Sequence, residues 1–433
     1  MIAKLQTYPK YKNSGIEWLG VIPSEWDILP FKKIFKLSNE RVENTPSLDL
    51  ALSVSGYRGV EPRNIESMEG QMPSEDIGKY RIVRRGQLAV NTMWLNYAGL
   101  GVSDYEGYIS PAYRSYNIDR AVNKKFVHHL LRSPLYIQKY TSMLYGLRPN
   151  SLQVKNDDFE KIEILVPPPE TQKKIADFLD EKTKIIDELV AKKEKLIELL
   201  REKRAVLITH AVTKGLDLKA KMKPSGIDWL GDIPEEWGVK RLKFVSNYVK
   251  TGSTPDSEKQ EYFDFGNIPW FTPGDFNEKI DLNDASKKIT SKAVIDGKAR
   301  LFRKDSILLV GIGATLGKIG FCKTEFSANQ QINVIYINNS NLPRFYAYYL
   351  LAIAEIIIST SNASTLGILN QEKTKQILCV VPSKQEQIKI VEYIDKQWTE
   401  FENVMKKVKN QIGQLKEYRS SLIYSAVTGK VKV

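Results

Sequence analysis

Histidine, the side chain best suited to moving protons or binding metals near neutral pH, occurs only three times, as His128, His129 and His210. The adjacent pair falls in KKFVHHLLRS, a helical pattern in which neighbours point about 100° apart, so a shared metal is disfavoured and a structural role is expected. Cys322 and Cys379 are the two cysteines, too few for a disulfide framework or a thiolate zinc site. GIGATLGKIG (311–320) has the look of a phosphate loop, but five residues separate Gly311 from Gly317 where that loop has four. Ile319 stands where a Mg²⁺-binding hydroxyl belongs. ISPAY (109–113) lacks the Asn and second Pro of the adenine-methyltransferase motif, and PDSEK (255–259) crowds its carboxylates too closely for a nuclease centre. The sequence therefore offers neither a catalytic residue set nor a metal site.

What it offers in quantity is recognition chemistry. Loops combine aromatic, amide and cationic groups: MWLNYAG with Trp94, Asn96 and Tyr97; SPAYRSY with Tyr113 and Arg114; YGLRPNS with Arg148 and Asn150. IPWFTPGDFN adds Trp270 and Thr272, the glycine-rich stretch adds Lys318, and SANQQIN adds Asn329, Gln330 and Gln331. Arg presents a fork to guanine, Asn and Gln do so to adenine, and aromatic rings supply rigid surface at a groove. The chain carries a net charge of +13, which suits a polyanionic partner. These residues are the candidate DNA contacts.

Positioning them requires a scaffold, and the scaffold is repeated. SGIEWLGVIPSEW (14–26) returns as SGIDWLGDIPEEW (225–237) with ten of thirteen positions identical. Residues 164–213 align with 379–428 at a constant offset of 215, matching Pro167 to Pro382, Gln172 to Gln387 and Asp180 to Asp395. The stretches between agree in hydrophobic rhythm but in few side chains. Four segments follow: a recognition domain with its tag over 1–168, a long helix over 169–213, a second tagged domain over 214–383, and a second long helix with tail over 384–433. The domains read as mixed α/β, with strand-like runs such as QLAVNTM and INVIYI.

In the long helices, apolar residues fall at heptad spacing. The first seam reads Ile175, Leu179, Ile186, Leu189, Leu196 and Leu200; the second reads Ile390, Ile394, Phe401, Val404, Val408 and Leu415. They are expected to form a coiled coil, and chain connectivity favours an antiparallel pair carrying a domain at each end, a pseudo-two-fold dumb-bell. Residues 170–214 hold eleven Lys/Arg against nine Asp/Glu, so the excess positive charge lies mainly in the domains. Trp18, Trp26, Trp229 and Trp237 of the tags are expected to pack at the joint between domain and helix. The longest apolar run, 345–358, contains Glu355 and is too short to span a bilayer. The N-terminal residues lack a secretory core, which points to the cytoplasm.

The paired tags, the PPPETQKKIADFLD and PSKQEQIKIVEYID helix starts and the RAVLITHAVT and RSSLIYSAVT helix ends together resemble the specificity subunit of type I restriction-modification systems. The resemblance covers essentially the whole chain. It implies a non-catalytic chain that reads a bipartite, asymmetric double-stranded DNA target, one half-site per domain, with the helices fixing the spacer. It further implies two modification subunits that bind S-adenosylmethionine and methylate adenine, and restriction subunits that use ATP and Mg²⁺. No cofactor is implied in this chain. The alternative is a stand-alone bipartite DNA-binding protein without enzyme partners.

Overall fold

A computed structural model describes residues 6–44, 50–56, 59–63, 78–146, 152–256, 258–361 and 367–433. The chain forms two compact units, one of residues 1–194 with 409–433 and the other of 195–408. Each unit therefore takes the first part of one long helix and the last part of the other.

In the first unit, strands β1 (Phe35–Ser38), β2 (Leu88–Val90), β3 (Leu100–Val102) and β4 (Arg114–Ile118) form an antiparallel sheet ordered β1-β4-β2-β3. Its register is set by Tyr116 opposite Leu37, Ser115 opposite Ala89, and Ala89 opposite Gly101. Helix α1 (Lys124–Leu131) packs beside it, begun by Asn123, whose side chain accepts from the amides of Lys125 and Phe126. Helix α2 (Pro169–Lys214) follows. The second unit repeats the plan with β5 (Ser246–Thr251), β6 (Ser306–Val310), β7 (Ile319–Cys322) and β8 (Ile332–Ile337) in the order β5-β8-β6-β7, then α3 (Pro343–Ala352) and α4 (Lys384–Val427). The poorly matching middles of the two halves thus share one sheet topology.

The tag repeats because it encodes one turn. Tyr11–Asn13 pairs with Val21–Pro23, and Met222–Pro224 with Asp232–Pro234. Between the strands Ser14 and Ser225 each accept, through Oγ, the amide two residues on, and each donates its own amide to Gly20 or Gly231. Gly15 and Gly226 sit at φ of 75° and 74°, a region that penalises any side chain.

In each unit the long helices run antiparallel. In the first, Arg419 Nε donates to Asp187 at 2.9 Å and Lys193 Nζ to Gln411 at 2.7 Å. In the second, Arg204 Nη1 donates to Glu402 at 2.8 Å while its guanidinium lies 4.2 Å from the Trp398 ring centre. Burial along the helices departs from the heptad. Ile175, Ile186, Ile197 and Ile208 are buried, as are Ile390, Phe401, Ile412 and Ile423. Both series step by eleven residues. That is 3.67 per turn, close to a straight α-helix, whereas a strict heptad drifts and must supercoil to keep its stripe inside. The expected seam residues Leu189, Leu196 and Val404 are accordingly 41%, 42% and 44% exposed, with Val190, Ile197 and Met405 taking the inner positions. Ile175, Leu179, Ile186, Ile390, Ile394, Phe401 and Val408 are buried, while Leu200 is half-buried and Leu415 borders an open cleft with Leu189 and Tyr418.

The tag tryptophans divide. Trp26 is buried against Tyr8, close to Gly429 at the end of α4, and Trp237 joins the core formed with Ile208, Ala211 and Val212 of α2 and donates Nε1 to Glu386 of α4 at 2.8 Å. The joint expected of all four Trp does not include the other two. Trp18 packs edge-on to Tyr136 with Lys139 over its ring, and donates to Glu163, all within its own domain. Trp229 is 39% exposed and lines a cavity with Ile353, Ile357 and Leu378. The order of hydrophobic cost follows: Trp237→Ala should lower stability by about 3–5 kcal/mol, and Trp229→Ala by far less. Urea unfolding of the two variants checks this; equal losses would contradict the division.

Candidate nucleic-acid interface

Residues that the sequence singled out separately meet at one end of each sheet. Because β2 and β4 are antiparallel neighbours, the loop leaving β2 (91–99) and the approach to β4 (110–113) emerge on the same edge. A third segment joins them: Val154 donates its amide to Thr92 O, and Asn156 Oδ1 accepts from Arg114 Nε at 2.7 Å. In the second unit the same edge collects the β6–β7 loop (311–318), the approach to β8 (329–331) and the segment around Leu369. Gly311 N donates to Gln331 O and Leu369 N to Gly311 O, while Asn333 Nδ2 donates to Leu369 O at 2.6 Å.

These loops therefore occupy equivalent places with unlike chemistry. MWLNYAG and GIGATLGK are the same hairpin connection. In the first unit it projects Trp94 and Tyr97, 55% and 64% exposed with ring centres 5.6 Å apart. Asn96 lies between them with its Oδ1 lacking a hydrogen-bond partner. In the second unit the resemblance to a phosphate loop has a steric cause: a Cβ on Gly311 would lie 2.5 Å from Leu369 O, so only glycine admits that strand crossing. Lys318, at the end of the loop, is exposed and reaches Phe276 O at 3.3 Å.

The approach loops differ likewise. Tyr113 is half-buried, its hydroxyl pKa raised by burial, and leads directly into Arg114. Its counterpart is an amide cluster in which Asn329 is buried and braces Gln331 through side chain and backbone at 3.0 Å, while Gln330 is exposed and accepts from Thr254. One candidate is corrected. Trp270 is buried among Tyr262, Ile289 and Ala293 with Nε1 donating to Ser253 O, so it is core rather than contact surface. Thr272 is engaged in a capping box with Asp275, whose carboxyl pKa is held low by the amides and hydroxyls of Ser286 and Thr272 despite burial. Arg148 and Asn150 lie outside the described residues.

No sequence pattern marks Arg132, which holds the first of these edges in place. From the end of α1 it donates to Ala98 O at 2.8 Å, Gly56 O at 2.9 Å and Leu100 O at 2.5 Å, fixing the aromatic loop against the Leu52–Pro62 hairpin. Burial, and then the nearby Arg419, lower its pKa to about 10. The histidine pair serves the same helix. His129 Nε2 lies 2.8 Å from Asp180 Oδ1, and Lys125 Nζ lies 2.6 Å from Oδ2, so α1 is fastened to α2. Chiefly the His129 hydrogen bond lowers the Asp180 pKa to about 2. His128 Nδ1 accepts the Val102 amide at 3.2 Å, and burial, then Arg132 and His129, lower its pKa to about 3. Among the described residues no group of His, Cys, Asp and Glu is arranged to hold a metal, and no helix is long and apolar enough to cross a membrane.

The family profile described as "Type I restriction modification DNA specificity domain" matches residues 121–199 and 234–414, more than half of the chain. The chain belongs to that family. Among relatives, the type I restriction enzyme MjaIX specificity subunit of Methanocaldococcus jannaschii is 34% identical over 37% of this chain and 38% of that protein. A protein assigned as the MjaX specificity subunit of the same organism is 22% identical over the full length of both. In fold, the chain is similar at a TM-score of 0.72 and 16% identity to a chain solved in work on complex assembly and conformational transition of the type I R-M system, covering 94% of this chain and 98% of that one. The HsdS subunit from Thermoanaerobacter tengcongensis follows at 0.51, with 16% identity and 95% and 98% covered. Specificity subunits are the non-catalytic members of such systems.

The His128 environment makes a pH prediction for this specificity subunit. The unfolded chain takes up a proton near His128's ordinary value of 6.5, whereas the folded chain does so only near 3. The stabilisation is therefore complete above pH 6.5 and is lost as pH falls toward 3, at a slope of at most about 1.4 kcal/mol per pH unit. His128→Asn keeps an acceptor for the Val102 amide and should flatten the fall in urea midpoint between pH 7 and 5. An unchanged slope would refute the assignment.

Proposed function

We propose that each unit of this specificity subunit reads one half of a bipartite, asymmetric double-stranded DNA sequence through the loops at its sheet edge, with the long helices setting the unread spacer. One observation carries the reading. Two units of identical sheet order present unlike side chains at equivalent loops, Trp94, Tyr97, Tyr113 and Arg114 in one and Lys318, Asn329, Gln330 and Gln331 in the other. A repeated scaffold with diverged loops suits recognition of two different half-sites. Arg114 fits a guanine edge or a phosphate, and the exposed amide of Gln330 fits adenine. The buried Asn329 acts through Gln331 rather than at a base.

On this reading the chain works in the cytoplasm with two modification subunits that carry S-adenosylmethionine and methylate adenine, and with restriction subunits that use ATP and Mg²⁺. The chain's own role is to bind and orient the DNA.

Replacing residues 27–163 with the corresponding domain of another family member should change one half-site and leave the other intact, read by mapping methylated adenines in cells that also express the modification subunit. Simultaneous change of both half-sites would sink independent reading. The chain purified alone should not methylate plasmid DNA, and activity appearing without the modification subunit would overturn the division of labour. Affinity for duplex DNA should fall steeply with salt, as expected when cationic side chains displace counterions from phosphates. A flat response would argue against DNA as the ligand.

A further inference from the structure

Three arginines of the first unit stand together without acid partners among the described residues. Arg41 and Arg81 face each other across an antiparallel bridge, a placement in which like charges repel. Arg81 Nε reaches Pro111 O at 3.4 Å, three residues before Arg114, which opens β4. Each makes one hydrogen bond to a neutral acceptor: Arg41 Nη1 to Lys79 O at 3.0 Å, Arg81 to Pro111 O, and Arg114 Nε to Asn156 Oδ1. Nη1 of Arg81 is buried with no hydrogen-bond partner among the described residues. Among the described residues, none of the three joins an ion pair.

Elsewhere the fold treats arginine differently. Arg84, three residues on, is paired with both Glu40 and Glu106; Arg204 has Glu402, and Arg344 has Asp281 and Asp395. Among the described residues the trio therefore has no carboxylate in contact, and burial followed by Arg114 and Arg41 lowers the Arg81 pKa. An unpaired, partly desolvated guanidinium is costly unless an anion completes it.

Resting on the reading of this chain as a DNA-binding subunit, we propose that Arg41, Arg81 and Arg114 form a phosphate site that grips the DNA backbone beside the half-site read by the first unit. A phosphodiester offers two non-bridging oxygens and one negative charge, which the free guanidinium edges can share. Arg81 is half-buried with its Nε engaged at Pro111 O, which suits it to meet a backbone phosphate rather than to enter a groove. The site thus fixes register and carries no sequence information.

The test uses the full chain and fluorescence anisotropy with a mixed-sequence 40-base-pair duplex and, once mapped, a duplex bearing the target. Arg81→Gln is expected to weaken binding to both duplexes about tenfold and to reduce the slope of log Kd against log salt by about 0.9, the share of one phosphate contact. Arg81→Lys keeps the charge and should keep the slope while losing part of the affinity. Wild-type affinity and slope in Arg81→Gln, or a loss confined to the target duplex, overturns the site. If Arg81→Gln does not fold, as judged by circular dichroism, Arg81→Lys decides: a slope reduced by a full contact refutes the proposal. Inorganic phosphate is titrated in parallel. Thermal stabilisation by phosphate that Arg81→Gln abolishes, with DNA binding unchanged, would assign the site to a free anion instead of DNA. Failure of the wild type to bind either duplex would remove the DNA reading itself.

Discussion

A buried amide at the start of each long helix is the constraint on which the rest depends. Gln172 and Gln387 are almost wholly buried, and a buried primary amide is tolerable only when both its ends are bonded. Each donates Nε2 to the carbonyl five residues before it, Pro167 or Pro382, and each accepts a backbone amide from the turn that opens the domain helix, Asn123 or Leu342. One side chain thereby fixes where the long helix begins and where the domain helix docks on it. Two turns further along, Asp180 and Asp395 complete the fastening, the first to His129 and Lys125 and the second to Tyr348 and Arg344. The partners differ while the carboxylates do not.

That pattern explains what the sequence disclosed. Internal repetition marked Gln172, Asp180 and their counterparts because they solve the same burial problem twice, and it marked the tags because one turn with a left-handed glycine is built twice. The middles gave little away, since a sheet register is held by backbone hydrogen bonds and generic apolar burial, which many side chains satisfy. Leu88 and Ile307 occupy corresponding rungs opposite Tyr116 and Ile335 with no identity required of their partners. The heptad reading placed Ile175, Ile186, Ile390 and Phe401 in the seam and missed Leu189, Leu196 and Val404 for a related reason. Leu189 and Val190, or Val404 and Met405, are adjacent apolar pairs, and periodicity alone cannot choose between 3.5 and 3.67 residues per turn when both phases hold an apolar residue; packing chose the latter.

The candidate contacts were legible by type and less so by depth. Trp94, Tyr97 and Gln330 stand at the surface, whereas Trp270 was indistinguishable from them in sequence and lies in the core, because aromatic residues serve packing and recognition equally well. Arg132 escaped notice because its role depends on carbonyls of residues 32 to 76 positions away, which no local pattern encodes.

The contrast between the arginines makes the division between scaffold and surface physical. Arg132 is half-buried and turns its Nη donors to backbone carbonyls, so its charge is solvated by the fold and is spent on holding a loop. Arg41, Arg81 and Arg114 are gathered where, among the described residues, none of them meets a carboxylate and each has one hydrogen-bond acceptor. A native structure keeps such an arrangement only if its stability elsewhere can absorb the repulsion, and the buried glutamine fastening and the aromatic packing of Phe31, Tyr116 and Phe159 beneath the same sheet supply that reserve. The first unit is rigid at its base and electrostatically incomplete at its edge, which is the condition under which a polyanion binds without first reorganising the surface that receives it.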